Sequence, residues 1–176
     1  MGMVLRKYWN DIVAPVLRRE QAPTIPQAVV LQEQHVLLVK RDNPMLWELP
    51  GGGILPGETP EDAIVREVYE ETGIRIKIIS LLGWYTRTGF RAHLSPIYIC
   101  HPISGEPILH SEDGVQVHYF PLHTLPRGHF PWYRPILQHD LQSSEIRPLR
   151  RTQHLGIGTV LHCILLDLAC RFRLLS

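Results

Sequence analysis

The stretch LPGGGILPGETPEDAIVREVYEETGI, Leu49 to Ile74, sets three consecutive glycines ahead of a helix-like run rich in glutamate. Thr59 is a good N-cap, and Pro60 falls at the first helical position, where its missing N–H costs nothing. Glu61 and Asp62 suit the positive end of the helix dipole. Gly73 stands where a left-handed C-terminal residue is wanted. These signals predict a helix over residues 60–72. Glu67, Glu70 and Glu71 follow the i, i+3, i+4 spacing and leave one face, with Val65, Val68 and Thr72 expected opposite, toward a core. Like charges so spaced destabilise a helix by about 0.2–0.5 kcal/mol per pair. Only Arg66 is near enough to relieve them, and a bound cation would do the same. Oxygen donors without Cys or His favour Mg²⁺ or Mn²⁺ over zinc.

The glycines fit the same picture. Gly51, Gly52 and Gly53 let the backbone turn sharply and pass close to a ligand, and a main-chain carbonyl there can join a metal shell. The spacing Gly52, Glu58, Arg66, Glu67, Val68, Glu70, Glu71, Gly73, Ile74 resembles the box of the Nudix hydrolases at every position. A weaker likeness runs over about residues 25–142, through KRDNPMLWELPGG ahead of the box and VHYFPLHTLP behind it. The resemblance implies an α+β fold, a Nudix α/β/α sandwich on a mixed sheet. It also implies hydrolysis of a nucleoside diphosphate linked to another group, such as ADP-ribose or another nucleotide sugar, or of a nucleoside triphosphate. Carried over by position, Glu70 and Glu71 match metal ligands, Gly51 matches a carbonyl ligand, and Glu67 matches a ligand or general base. Arg66 matches the arginine that orients these glutamates, and Glu58 matches its structural partner. Many members draw one more glutamate from the loop before the strand that here reads VHYF. Gln116 stands where that acid often occurs; Glu112 and Asp113 are the nearest acids, and Glu112 is favoured. The alternative is a catalytically silent Nudix-fold nucleotide binder; the retained Arg66, Glu67, Glu70 and Glu71 argue against it.

Around the box, AVVL (28–31) and HVLLVK (35–40) read as a hairpin. Residues 76–88, 93–103 and 115–122 read as further strands, and 130–142 as a closing helix. Arg41, Arg87 and Arg91 are candidate phosphate ligands. Trp84 and Tyr85 are read as core before base platforms. Two segments lie outside the likeness. Residues 1–24 carry an amphipathic helix over 3–19, with Leu5, Tyr8, Trp9, Ile12 and Val16 on one face. Residues 143–176 read as a polar connector followed by a helix from about 156 to 174. In that helix Ile157, Val160, Leu161, Ile164, Leu168, Phe172 and Leu175 share a face. That apolar stripe needs a cover: the N-terminal helix, a second subunit in a homodimer, or a membrane. Protein is favoured, because His162 and Asp167 interrupt the run.

The whole chain of 176 residues has a formal net charge of +1, 44% hydrophobic and 20% charged residues. That is ordinary for a globular protein and advertises no nucleic-acid-binding surface. Cys100, Cys163 and Cys170 form no metal-like pair and read as free thiols of a reducing compartment. With no signal peptide and no apolar run long enough to span a bilayer, the expected location is cytoplasmic, and the expected partner is a small nucleotide.

Overall fold

Alternation along two short strands decides the layers. In β1 (Gln27–Gln32) and β2 (His35–Lys40), Ala28, Val30, Leu37 and Val39 enter one apolar cluster, while Val29, Val36 and Leu38 enter another. Both faces of the sheet are thus buried, as a sandwich requires. The structure is a computed structural model and describes residues 22–42, 44–89, 91–108 and 115–172. The remaining elements are β3 (Trp47–Glu48), α1 (Pro60–Thr72), β4 (Arg75–Gly89), β5 (His93–Ser104), β6 (Gln116–Pro121), α2 (Tyr133–Gln138), β7 (Leu149–Leu155) and α3 (Ile157–Arg171). The expected helix over 3–19 and the candidate Glu112 lie outside the described residues.

The strands form one mixed sheet in the order β3-β2-β1-β5-β4-β7, with β6 also paired to β2. β1 runs parallel to β5 and β4 parallel to β7; the other pairs are antiparallel. α1 covers one face through Ile64 and Val68. α2 and α3 cover the other through Tyr133, Ile136, Leu137 and Cys163. The fold is the α+β, α/β/α sandwich expected from the sequence.

The hairpin and α1 form where the sequence predicts them. Thr59 caps α1 in a capping box with Asp62, and Gly73 closes it at φ 75°. The facing of α1 differs from expectation. Its buried arc is Ala63, Ile64, Val68, Glu71 and Thr72, whereas Val65 is exposed. Ala63 and Ile64 pull the buried face round toward Glu71, so this carboxylate is inside rather than solvent-facing.

Three C-terminal readings are also corrected. The expected helix over 130–142 is only α2 and a 3₁₀ turn over Asp140–Gln142. Pro131 and Pro135 limit the run, since neither can donate a backbone hydrogen bond. The polar connector contains β7, which lies along β4 from Gly83↔Leu149 to Gly89↔Leu155. α3 presents much of its apolar stripe outward: Ile157, Leu161, Leu168 and Phe172 are exposed, as is Leu165 beside them, while Val160 packs half-buried on the core and Cys163 and Asp167 are buried. The aspartate that interrupts the apolar pattern is the anchor of the helix. No helix among the described residues is long and apolar enough to cross a membrane.

Candidate active site

The Gly51–Gly53 turn and α1 are joined by one arginine. Arg66 donates to Glu58 through Nε (2.7 Å) and Nη2 (2.9 Å), and to the Gly53 carbonyl at 3.0 Å. Its Nη1 donates to Glu67 and Glu70, both at 2.9 Å. The repulsion built into the glutamate spacing is relieved inside the protein by this cation. The Arg66 hydrogen bonds, helped by the Leu55 amide, hold the Glu58 carboxyl down at about 2. Gly52 has no room for a side chain, since a Cβ would overlap the Glu67 carboxyl.

Glu71 sits apart from this group. It is 7% exposed and accepts from the Gly51 amide at 3.0 Å and from Arg41. Burial pushes its carboxyl up to about 7, with Arg41 and the Gly51 amide pulling the other way. Burial opposes the charge on Arg41, yet Glu71 and Glu48 outweigh it and keep the guanidinium protonated. Arg41 also donates to Glu48 at 2.9 Å, and Arg91 reaches the other Glu48 oxygen at 3.5 Å.

Beyond the glycines opens a cavity of about 330 Å³, whose lining includes Arg41, Arg87, Arg91, Glu48, Gln27 and His93. Arg87, on β4, is only 2% exposed. It donates to Gln153 at 3.1 Å and to Gln27 at 3.2 Å, and contacts His93 Nε2 at 3.1 Å. Its guanidinium lies over the rings of Trp132 and Tyr133 at 5.0 and 5.1 Å. Burial is the main force lowering its proton affinity. Because a guanidinium only donates, His93 Nε2 must accept. The ring proton is then on Nδ1, which donates to the Arg91 carbonyl at 2.7 Å. Burial, and then Arg87, push this imidazole down to about 3, so it is neutral.

The structure therefore brings Arg66, Glu67 and Glu70 together, sets Glu71 against Gly51, and gathers Arg41, Arg87 and Arg91 around one cavity. Trp84 is half-buried and Tyr85 fully buried on β4, where Tyr85 donates to Asp140 at 3.0 Å. Gln116 pairs with Lys40 across β6 and β2, one residue from Arg41. Sequence reading passed over Glu48, Gln27, His93 and Tyr133, all in the cavity wall. Glu48 carried a signal: it is an acid in a strand three residues ahead of the glycine turn. The other three had none, since their partners are distant in the chain.

Among the described residues no three His, Cys, Asp or Glu side chains are gathered as a ready metal cluster. Arg66 and Arg41 engage the carboxylates instead. The donor set nonetheless suits a hard divalent cation. It consists of carboxylate and carbonyl oxygens, and one carboxylate, Glu71, is desolvated enough to favour a further positive neighbour.

A family model described as the NUDIX domain matches residues 18–140. The putative 8-oxo-dGTP diphosphatase of Bacillus subtilis is 48% identical over 64 residues, 36% of this chain and 43% of that protein. The ADP-ribose pyrophosphatase of Methanocaldococcus jannaschii is 38% identical over 105 residues, 56% of this chain and 62% of that protein. The chain thus spans less than two thirds of the length of either relative. Among solved structures, the MutT NUDIX hydrolase of Burkholderia pseudomallei is 29% identical with a TM-score of 0.60, covering 68% of this chain and 98% of that one. The complete box, the sandwich fold and the match over residues 18–140 lead to one conclusion: the chain belongs to the NUDIX family.

Proposed function

We propose that this chain is a divalent-metal-dependent pyrophosphohydrolase that cleaves the diphosphate linkage of a nucleoside diphosphate joined to another group, or of a nucleoside triphosphate. Glu67, Glu70, Glu71 and the Gly51 carbonyl hold Mg²⁺ or Mn²⁺, with Glu112 as a further candidate ligand. The observation that supports this most is the adjacency of two donor sets at the Gly51–Gly53 turn. Arg66 gathers Glu58, Glu67 and Glu70, Glu71 is held at the Gly51 amide, and a cavity lined by Arg41, Arg87 and Arg91 opens beside the same glycines. The carboxylates suit a cation and the cavity an anionic substrate.

When bound, the metal neutralises phosphate charge and makes water a better nucleophile at neutral pH. The chain's own residues do the rest. Arg66 fixes the Glu67 and Glu70 carboxylates, and Glu67 acts as ligand or as the base that takes the water proton. Arg41, beside the glycine turn, orients the cleaved phosphates, which confines attack to one geometry. The relatives described above as an 8-oxo-dGTP diphosphatase and an ADP-ribose pyrophosphatase support diphosphate chemistry of this kind.

The test is a panel of ADP-ribose, other nucleotide sugars and nucleoside triphosphates, with product identification. Hydrolysis should vanish on exhaustive chelation with EDTA and return with Mg²⁺ or Mn²⁺. Activity that survives chelation, activity restored by Zn²⁺ alone, or no hydrolysis across the panel with metal present would each refute the proposal.

A further inference from the structure

Arg87 is a buried cation whose hydrogen-bonding partners among the described residues are all neutral. Among those residues its hydrogen-bonding contacts are Gln27, Gln153, neutral His93 and Tyr133, its two ring contacts are Trp132 and Tyr133, and Glu48 is a carboxylate that acts on it without a direct ion pair. Stacking on aromatic faces offsets part of the desolvation of a guanidinium, but a buried charge without a counter-charge is costly. The four hydrogen-bonding contacts also leave one of its five N–H donors without a partner among the described residues. The adjacent cavity adds to the imbalance. Among the described residues its lining has three arginines against one glutamate, Glu48, which is already shared between Arg41 and Arg91.

The same lining tells against a nucleobase. Tyr133 is the one Phe, Tyr or Trp among the described lining residues, and that ring is buried beneath Arg87. The ring of Phe130, behind Arg91, is likewise covered by a guanidinium at 5.1 Å. Among the described lining residues no open aromatic face is left for a base to stack on, whereas two guanidinium groups border the same space.

We infer that Arg87 and Arg91 form a second anion site, which holds a phosphate monoester on the group distal to the cleaved diphosphate. Resting on the pyrophosphohydrolase reading, this assigns the substrate class: a nucleoside diphosphate linked to a phosphorylated sugar or polyol. Arg87 is the fixed donor, set rigidly by Gln27 and Gln153. Arg91 is about one third exposed and closes over the anion from the rim.

Two measurements test this. In EDTA, where no hydrolysis occurs, the intact protein is titrated with ribose 5-phosphate and with ribose. Ribose 5-phosphate should bind and ribose should not. Arg91→Ala and Arg87→Lys should each weaken binding about tenfold or more, and Arg75→Ala, at a side chain that stacks on Tyr69 outside the cavity lining, should not. Arg91→Ala alters a partly exposed side chain, so it stays informative if Arg87→Lys fails to fold. With Mg²⁺, a nucleoside diphosphate sugar is then compared with the same compound carrying a phosphate monoester on the distal sugar. The phosphorylated form should have the higher kcat/KM, and Arg91→Ala should bring the ratio close to one. Equal binding of the two probes, binding unchanged in Arg91→Ala, or preference for the unphosphorylated substrate would overturn the inference. If neither compound is hydrolysed the pyrophosphohydrolase reading fails, while the titration in EDTA still decides the anion site.

Discussion

Gly52 lacks a side chain where the Glu67 carboxyl needs the space. A methyl group there would meet the far end of a flexible side chain rather than backbone, so the chain can relieve the overlap by swinging Glu67 away. Gly52→Ala should therefore reduce hydrolysis by about tenfold or more and shift stability by no more than about 1 kcal/mol. Paired rate and urea-denaturation measurements would show it; full activity would mean that Glu67 need not stay where Arg66 holds it. His93 gives a pH prediction of definite sign. Its folded pKa of about 3 lies below the ordinary value of 6.5. The unfolded chain takes up a proton below that value while the folded chain does not. The stability contributed by His93 is thus complete above about pH 6.5 and is lost as pH falls toward 3, with a limiting slope of about 1.4 kcal/mol per pH unit. His93→Asn, neutral throughout, should lose less stability between pH 7 and pH 5 than the parent, as read from urea midpoints. Equal losses would place the imidazole outside the acid response.

Helix α3 lies beyond the matched residues 18–140, yet it is tied to the cavity loop. Asp167 is fully buried; it accepts from the Met45 amide at 2.7 Å and from Arg171 at 2.9 Å. Arg171 also donates to the Asp42 carbonyl at 3.0 Å. This clasp braces the segment between Arg41 and Glu48, two groups of the site. Asp167→Ala should cost about 1–3 kcal/mol through the lost hydrogen bonds to a charged group and raise KM by freeing Arg41. A stability loss with unchanged KM would mean that the loop keeps its shape without α3. What the sequence disclosed follows the same division between near and far. α1 was legible because its caps, Thr59 and Gly73, act within a few residues of the helix. β7 was hidden because its inward positions Arg151 and Gln153 are polar. Their partners, Asp140 and Arg87, are brought by folding, so the strand carries no apolar alternation. The burial of Glu71 was hidden for a related reason, since the sequence places it correctly on α1 but does not show how the sheet rotates that helix.

For the whole molecule, β7 and α3 belong to the same sheet and the same apolar cluster as the box-bearing region. A separate unit over 143–176 therefore remains a proposal, and truncation is its measure. Removing residues 149–176 bares the β4 edge, uncovers part of the apolar cluster beneath α2 and α3 and takes Gln153 from Arg87. The truncated chain should lose more than about 10 °C in Tm or fail to unfold cooperatively. By contrast, Leu165→Gln, on the exposed stripe of α3, should move Tm by no more than about 2 °C. A truncated chain that melts like the parent would make 143–176 a true appendage.

The contact between Arg87 and Gln153 bears on how the protein is made. The chain is synthesised from its N-terminus at about 5–20 residues per second. All of the box, the three arginines and the sheet from β1 to β6 leave the ribosome before the residue that supports Arg87 from below. A nascent chain can assemble the carboxylate side of the site early, but the cavity side must wait for the last strand to dock in parallel on β4. Such long-range pairing is slow to form. The protein should thus acquire its affinity for a cation before its grip on a substrate.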